Sequence, residues 1–145
     1  MCSQIVGISS VGLDDFVPTP NVFGKGAISG TSGPAVRPIG LNFIASMAQN
    51  EELNLPLSGI GGIETWIDVL EYILLGASTI QVTTGIMHYG YRIVEDMIEG
   101  LSDFMVEKGV KNISDLVGKA LPNLHAAQVS GFRVAPAPHL GISWR

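Results

Sequence analysis

Apolar and polar positions alternate along this chain in two rhythms, one of strands and one of helices. Gln4 to Ile8 (QIVGI) is a short apolar run and predicts a buried strand. Ser9 to Gly33 then shows no period and is rich in Gly, Pro, Ser and Thr. Loops of that length are usually functional or disordered. From Pro38 the pattern turns helical: Leu41, Ile44, Ala45 and Ala48 recur on one face. Proline suits the first turn, where its missing N–H has no intrahelical partner. This helix should stop at Gln49 or Asn50, and Glu51 to Leu55 make a loop that Pro56 ends.

Leu57 to Ile60 (LSGI) predicts a short strand running into Gly61-Gly62. A helix opens at Thr65, where Thr65 and Asp68 form a capping-box pair with Asp in place of Glu. Trp66, Val69, Leu70, Ile73 and Leu74 supply its apolar face, and Gly76 is the expected C′ residue. Thr79 to Thr83 is β-branched and strand-like, and it runs into Thr84-Gly85. A longer helix covers about Tyr91 to Lys108, with Ile93, Val94, Met97, Ile98, Leu101, Phe104 and Met105 as its stripe and Gly109 as its stop. Its Glu95, Asp96, Glu99 and Asp103 read as a solvated face. Ile113 to Leu121 is a last short helix capped by Asn112 or Ser114. From Leu124 to Arg145 no period is visible, and Ala135 to His139 (APAPH) reads as extended. Short strands alternating with amphipathic helices imply βαβ units, a parallel sheet and an α/β fold.

Composition narrows the classes. At 145 residues there is room for one domain. With 46% hydrophobic and 14% charged residues the chain is too apolar for disorder. Its mean hydropathy is +0.36. The net charge of -5, from 8 Lys+Arg against 13 Asp+Glu, argues against a nucleic-acid partner, which selects for a basic patch. The most apolar stretch, Trp66 to Leu75, carries Asp68 and Glu71 and falls short of the ~18 apolar residues of a membrane span. MCSQIVGISS has neither the basic region nor the long apolar core of a signal peptide. Cys2 is the sole cysteine, so there is no internal disulfide framework or multi-cysteine metal site, and the chain reads as cytoplasmic. Glycine is the outlier, at 18 residues of 145, where ~7% is usual.

Three glycine-bearing loops carry the candidate chemistry. GIGGIET, Gly59 to Thr65, joins a strand to a helix N-terminus. Glycines there admit a ligand to the backbone, and the helix end offers free N–H groups to an anion. The spacing is not the dinucleotide fingerprint, because position 64 is Glu. The motif therefore reads either as a phosphate site or as a tight βα turn. QVTTG, Gln81 to Gly85, ends the next strand; Thr83 and Thr84 could serve the same anion or merely finish a β-branched strand. Two consecutive βα loops of this kind match the frequent phosphate site of (β/α)₈ barrels. GTSGPAVRP, Gly30 to Pro38, could touch a cofactor, and Arg37 there is either an anion partner or a solvated charge. Lys25, in GKG, reads as a loop-tip lysine. His88, His125 and His139 share no metal-ligand spacing, and no cysteine or carboxylate completes a site with them. Cys2 has no activating neighbour. No catalytic constellation can be assembled from these residues.

The stretches GKG, SGPAVRPIGL, LPLSGIGGIETWIDVLEYILLGAST, IQVTTGIMHYGYRIVEDMIEGLSDFMVEKG and DLVGKALPN cover most of residues 5 to 123. Together they resemble the C-terminal part of the flavin barrel in bacterial NAD-dependent dihydropyrimidine dehydrogenases, whose architecture dihydroorotate dehydrogenases share. The resemblance implies the last three βα units, the sixth to eighth strands, of an FMN-binding (β/α)₈ TIM barrel in residues 1–123, with 124–145 an irregular tail. It implies that Gly61, Gly62 and Ile63, then Thr83 and Thr84, hold the FMN phosphate, and that Gly33 is a further flavin contact. The implied reaction is reversible reduction of the uracil or thymine 5,6-double bond with NADH through flavin and iron–sulfur centres.

The departures from that pattern set further expectations. Val6 and Gly7 stand where the family carries an Asn-Thr pair that holds the pyrimidine. The catalytic cysteine loop lies upstream in the family, so Cys2 does not inherit its role. No clustered cysteines follow Asn123, so no iron–sulfur cluster is expected in this chain. The expected picture is an enzyme fragment that keeps the FMN-phosphate half of a barrel and is inactive alone. Its expected partners are a missing N-terminal barrel half or an iron–sulfur/NAD subunit. Two alternatives stand beside it. One is a non-catalytic half-barrel subunit that completes a barrel with a separate N-terminal half. The other is a phosphate-binding barrel protein without redox chemistry.

Overall fold

A computed structural model of the chain describes residues 5–53 and 55–124. Its N-terminal arm is antiparallel. β1 (Ile5–Gly7) pairs with β6 (Ser29–Thr31), β2 (Ser10–Val11) with β3 (Pro18–Thr19), and β4 (Asn21–Val22) with β5 (Lys25–Gly26). This corrects the expectation of a buried strand at Gln4 to Ile8. Val6 is 68% exposed, and among the described residues β1 has no parallel neighbour. A parallel neighbour needs a crossover of a dozen or more residues, usually a helix. Residues 9–33 hold only turns and two- or three-residue strands, which bring the chain back alongside itself. Leu13, Phe16 and Phe23 stand exposed on this arm.

A single 3₁₀ turn, Pro34–Val36, leads into α1 (Arg37–Ala48), with Pro38 in its first turn. α1 buries Gly40, Ile44 and Ala45. The next three elements form one βαβ unit: β7 (Leu57–Ile60), α2 (Trp66–Leu74) and β8 (Ala77–Gln81). β7 and β8 pair in parallel, with Ser58 opposite Thr79 and Ile60 opposite Gln81. The Gln81 Nε2 donates to Ser58 Oγ across them at 2.9 Å. α2 begins with a reciprocal capping box, in which the Thr65 amide donates to Asp68 Oδ2 at 2.8 Å and the Asp68 amide to Thr65 Oγ1 at 3.4 Å.

β8 starts two residues earlier than its β-branched run suggests. Gly76, at φ 111°, turns the chain directly from α2 into the sheet. At the other end Thr83 precedes a helix that the pattern did not show, α3 (Thr84–Tyr89). α4 (Arg92–Lys108) ends at Gly109 in the left-handed conformation, as the sequence implied. Residues 113–121 are not one helix. They contain a 3₁₀ turn at Ile113–Leu116, and a second follows at Leu121–Asn123. The amides of Gly118 and Ala120 donate to the Ile73 and Leu74 carbonyls, so this segment is tied to the end of α2.

α1, α2 and α4 share one apolar core through Ile44, Val69, Ile73, Ile93 and Met97. Trp66 packs on Phe104 with ring centroids 6.0 Å apart, over Gly100, which has no side chain to obstruct the indole. Glu95, Asp96, Glu99 and Asp103 are exposed as expected, but so are Val94 and Ile98 of the apolar stripe. Gln4 and residues 125–145 lie outside the described residues.

Candidate functional site

β7 and β8 are parallel neighbours, so the loops after them open side by side at one end of the sheet. Between these loops and the Ser32-Gly33 segment lies a cleft of about 200 Å³. Gly33, Gly61, Gly62, Ile63, Thr83 and Thr84 all line it, with Ser32, Val36, Ile60, Gln81 and Met87. The structure thus brings together every residue that the family resemblance marks for cofactor contact.

The walls approach closely because side chains are missing where backbones meet. Gly62 has φ 66°, and a Cβ there would stand 2.6 Å from the Gly33 carbonyl oxygen and 3.0 Å from Pro34 Cα. A Cβ on Gly85 would stand 2.7 Å from the Ile63 carbonyl oxygen. No charged side chain lines the cleft. Its polar groups are backbone amides and the hydroxyls of Ser32, Thr83 and Thr84, and the Gln81 amide. The Glu64 and Thr65 amides are already committed to Asp68 Oδ2, at 3.0 and 2.8 Å. Among the described residues, the Gly62 and Ile63 amides donate to no protein acceptor. Thr84 and Gly85, in the first turn of α3, have no intrahelical acceptor for theirs. Free amides of Gly62, Ile63 and Thr84 along a cleft without a side-chain cation suit a compact oxyanion.

Tyr72 lies beneath this loop and is fully buried. Its hydroxyl donates to the Gly61 carbonyl at 2.9 Å and reaches the Ile60 carbonyl at 3.3 Å. Gly40 and Gly59 leave room for the ring. A Cβ on Gly59 would lie 2.8 Å from Tyr72 Cδ1, and one on Gly40 would overlap the hydroxyl. Part of the glycine excess therefore serves packing under the cleft.

Asp68 is 2% exposed. Besides the Glu64 and Thr65 amides, its Oδ2 accepts from Thr65 Oγ1 at 3.0 Å, and its Oδ1 is paired with the Arg37 guanidinium. Arg37 Nε also stands 3.8 Å from Glu71 Oε2. Arg37 is thus neither a free anion ligand nor a solvated charge; it joins the start of α1 to the start of α2. Sequence reasoning missed both Tyr72 and this ion pair. A tyrosine on an otherwise apolar helix face was the one available signal for Tyr72. For the ion pair nothing local pointed from position 37 to 68.

Burial pushes the Tyr72 phenol above its usual pKa; the Arg37 guanidinium pulls it down in part, and Glu71 adds to the rise. The folded state therefore holds this proton beyond the 10.0 of a free tyrosine. Its contribution to stability is complete below about pH 10 and is lost as pH rises through the folded value. We expect unfolding free energy to fall above about pH 10, and the Tyr72→Phe variant to show a shallower fall. Urea titrations at several alkaline pH values measure this; equal slopes for the two proteins would contradict it.

One histidine meets a single carboxylate, a contact that completes no metal site among the described residues. His88 Nδ1 on α3 lies 3.3 Å from Glu64 Oε1, which follows the glycine loop. The two residues are 24 apart in sequence and meet because α3 starts beside the glycine loop. Among the described residues, no three His, Cys, Asp or Glu side chains converge on a metal position. Cys2, His125 and His139 lie outside the described residues. Lys25 is exposed on the β4–β5 hairpin. No described helix is long and apolar enough to cross a membrane.

Comparison with known proteins identifies the fold family. The profile of the family described as Dihydroorotate dehydrogenase matches residues 5–105. The NAD-dependent dihydropyrimidine dehydrogenase subunit PreA of Escherichia coli is 50% identical over 127 residues, 87% of this chain and 31% of that protein. The chloroplastic dihydropyrimidine dehydrogenase (NADP(+)) of Arabidopsis thaliana is 37% identical over 123 residues, covering 82% and 29%. The catalytic subunit of dihydroorotate dehydrogenase B (NAD(+)) from Pyrococcus abyssi is 34% identical over 119 residues, covering 82% and 38%. The chain thus spans about a third of the length of these relatives. By its sequence, over the region that builds the glycine-walled cleft, the chain belongs to the dihydroorotate dehydrogenase family.

Proposed function

We propose that the cleft is the phosphate end of an FMN site in a flavin-dependent oxidoreductase of the dihydropyrimidine dehydrogenase type. The carrying observation is the set of free amides at Gly62, Ile63 and Thr84 along the cleft, with Gly62 so close to the Gly33 carbonyl that no Cβ fits there. In this reading Gly61, Gly62 and Ile63, with Thr83 and Thr84, hold the phosphate, and Gly33 borders the flavin side. At about 200 Å³ the cleft lies below the ~300–1,000 Å³ of sites that enclose a drug-sized ligand. It therefore suits the anionic end of a larger cofactor. The chemistry that FMN supplies in such enzymes is two-electron transfer to and from the pyrimidine 5,6-double bond. The residues of this chain bind and orient; none of the cleft side chains is an acid or base placed to move a proton at the substrate.

The same reading makes the chain the last three βα units of a barrel, with β7 and β8 in the seventh and eighth positions; β1, here exposed and antiparallel to β6, would take the sixth only beside the parallel neighbours that the rest of a barrel supplies. Its support is the apolar surface on either side of the parallel pair. A cleft of about 220 Å³ beside β7 is lined by Phe43, Ile44, Met47 and Leu57. One of about 410 Å³ beside β8 is lined by Ile80, Val82, Tyr91, Val94 and Ile98. This accounts for the exposed part of the α4 stripe: Val94 and Ile98 face a neighbour that the rest of a barrel would supply. Turnover of uracil or thymine then requires an N-terminal barrel half and a partner that delivers electrons from NADH. The proposed compartment is the cytoplasm. Val6 and Gly7, in place of the Asn-Thr pair, leave the pyrimidine without those polar contacts in this chain.

FMN retention is the direct test. The purified chain should show the flavin absorbance bands, or gain thermal stability when FMN is added. It should not oxidise NADH with uracil as acceptor. Absent bands together with an unchanged melting temperature under saturating FMN would remove the cofactor reading. A non-redox phosphate-binding protein would instead respond equally to FMN and to inorganic phosphate.

A further inference from the structure

We propose that Tyr72 is a positioning residue for anion recognition, its hydroxyl turning the Gly61–Gly62 peptide so that the Gly62 amide faces the cleft. The inference rests on the reading of the cleft as an FMN-phosphate site. The Gly61 carbonyl is drawn down by Tyr72 at 2.9 Å. The Gly61–Gly62 peptide is trans, the cis bond among the described residues being Thr19-Pro20. In a trans peptide the C=O and the following N–H point in opposite directions. Holding the carbonyl toward the buried side therefore aims the Gly62 N–H at the open side, where the cleft lies.

Without such a hold, two consecutive glycines leave this peptide free to rotate, because glycine accepts both signs of φ. An inverted peptide would present a carbonyl oxygen to an incoming phosphate, and the interaction would be repulsive. Tyr72 itself lines no part of the cleft. It acts on the loop backbone, chiefly through the Gly61 carbonyl and at 3.3 Å the Ile60 carbonyl, and the slot between Gly40 and Gly59 fixes its ring for that purpose.

The test compares FMN with riboflavin, which lacks the phosphate, on the full chain. Fluorescence titration should show that the wild type prefers FMN. In Tyr72→Phe that preference should shrink about fivefold, the worth of one ordinary hydrogen bond, while riboflavin affinity stays level. A purely structural role would weaken both ligands alike. A second readout needs no ligand: the Gly61 and Gly62 amide resonances should move in Tyr72→Phe while those of α4 hold still. An unchanged FMN-to-riboflavin ratio in Tyr72→Phe, or unmoved glycine resonances, overturns the inference. A wild type that binds neither flavin overturns the FMN reading and the recognition role with it. The amide resonances would still report whether Tyr72 sets the peptide.

Discussion

Asp68→Ala should lower the unfolding free energy by about 3 kcal/mol, the cost typical of breaking a buried ion pair from one side. Asp68 is nearly inaccessible. It serves two backbone amides, one hydroxyl and the Arg37 guanidinium. Its removal leaves the Glu64 and Thr65 amides without an acceptor and the Arg37 charge without its main partner. Arg37 is 38% exposed, so water recovers part of that loss and the figure stays near the lower end of the range for such pairs. Asp68→Asn keeps an oxygen for the amides and should cost less than Asp68→Ala. Chemical denaturation of the three proteins measures the series. A loss under about 1 kcal/mol in Asp68→Ala would show that the pair does not hold the two helices together.

Gly62→Ala should reduce FMN affinity more than tenfold, a larger effect on binding than any other single methyl group at the cleft. Two costs combine at this position. The left-handed φ of 66° costs a non-glycine residue about 1 kcal/mol. The added Cβ also meets the Gly33 carbonyl and Pro34 Cα. Both are backbone atoms of the opposing wall, which must move away and open the cleft. Gly109→Ala is the matched control: its φ is also 66°, in the left-handed region, and nothing lies within 4 Å of the new Cβ. It carries the conformational cost without the collision. Isothermal titration with FMN should separate the two variants, and equal affinities would mean that wall-to-wall contact does not set the site.

Helices α1, α2 and α4 and the parallel pair were readable in advance because each depends on a local pattern. α2 and α4 show one apolar face, and Thr65, Gly76 and Gly109 mark their ends with side-chain or backbone chemistry confined to a few residues. The shared cleft was readable for a related reason: consecutive βα loops in a parallel sheet must open on the same side. The arm was not readable. Its strands are two or three residues long, too short for a period, and turn geometry decides their pairing. α3 carries a glycine in its first turn and lacks a capping side chain, so TTGIMHY showed only a strand end. The structural centre of the site, Tyr72 with the Arg37–Asp68 pair, depends on contacts between elements. Nothing local in the sequence states which glycines will make room for a tyrosine ring.

The bonds that shape the glycine loop are short in sequence. Thr65 to Asp68 spans 3 residues, Tyr72 to Gly61 spans 11, and Gln81 to Ser58 spans 23. The entropy of closing a loop grows only with the logarithm of its length. The hydrogen bonds of the cleft floor therefore close within a single contiguous segment, residues 57–81, while Gly33, Arg37 and Gly40 meet it from the preceding chain. The β7–α2–β8 segment thus carries the bonds of the cleft floor, and Gly33 before it with Thr83 and Thr84 after it complete the walls.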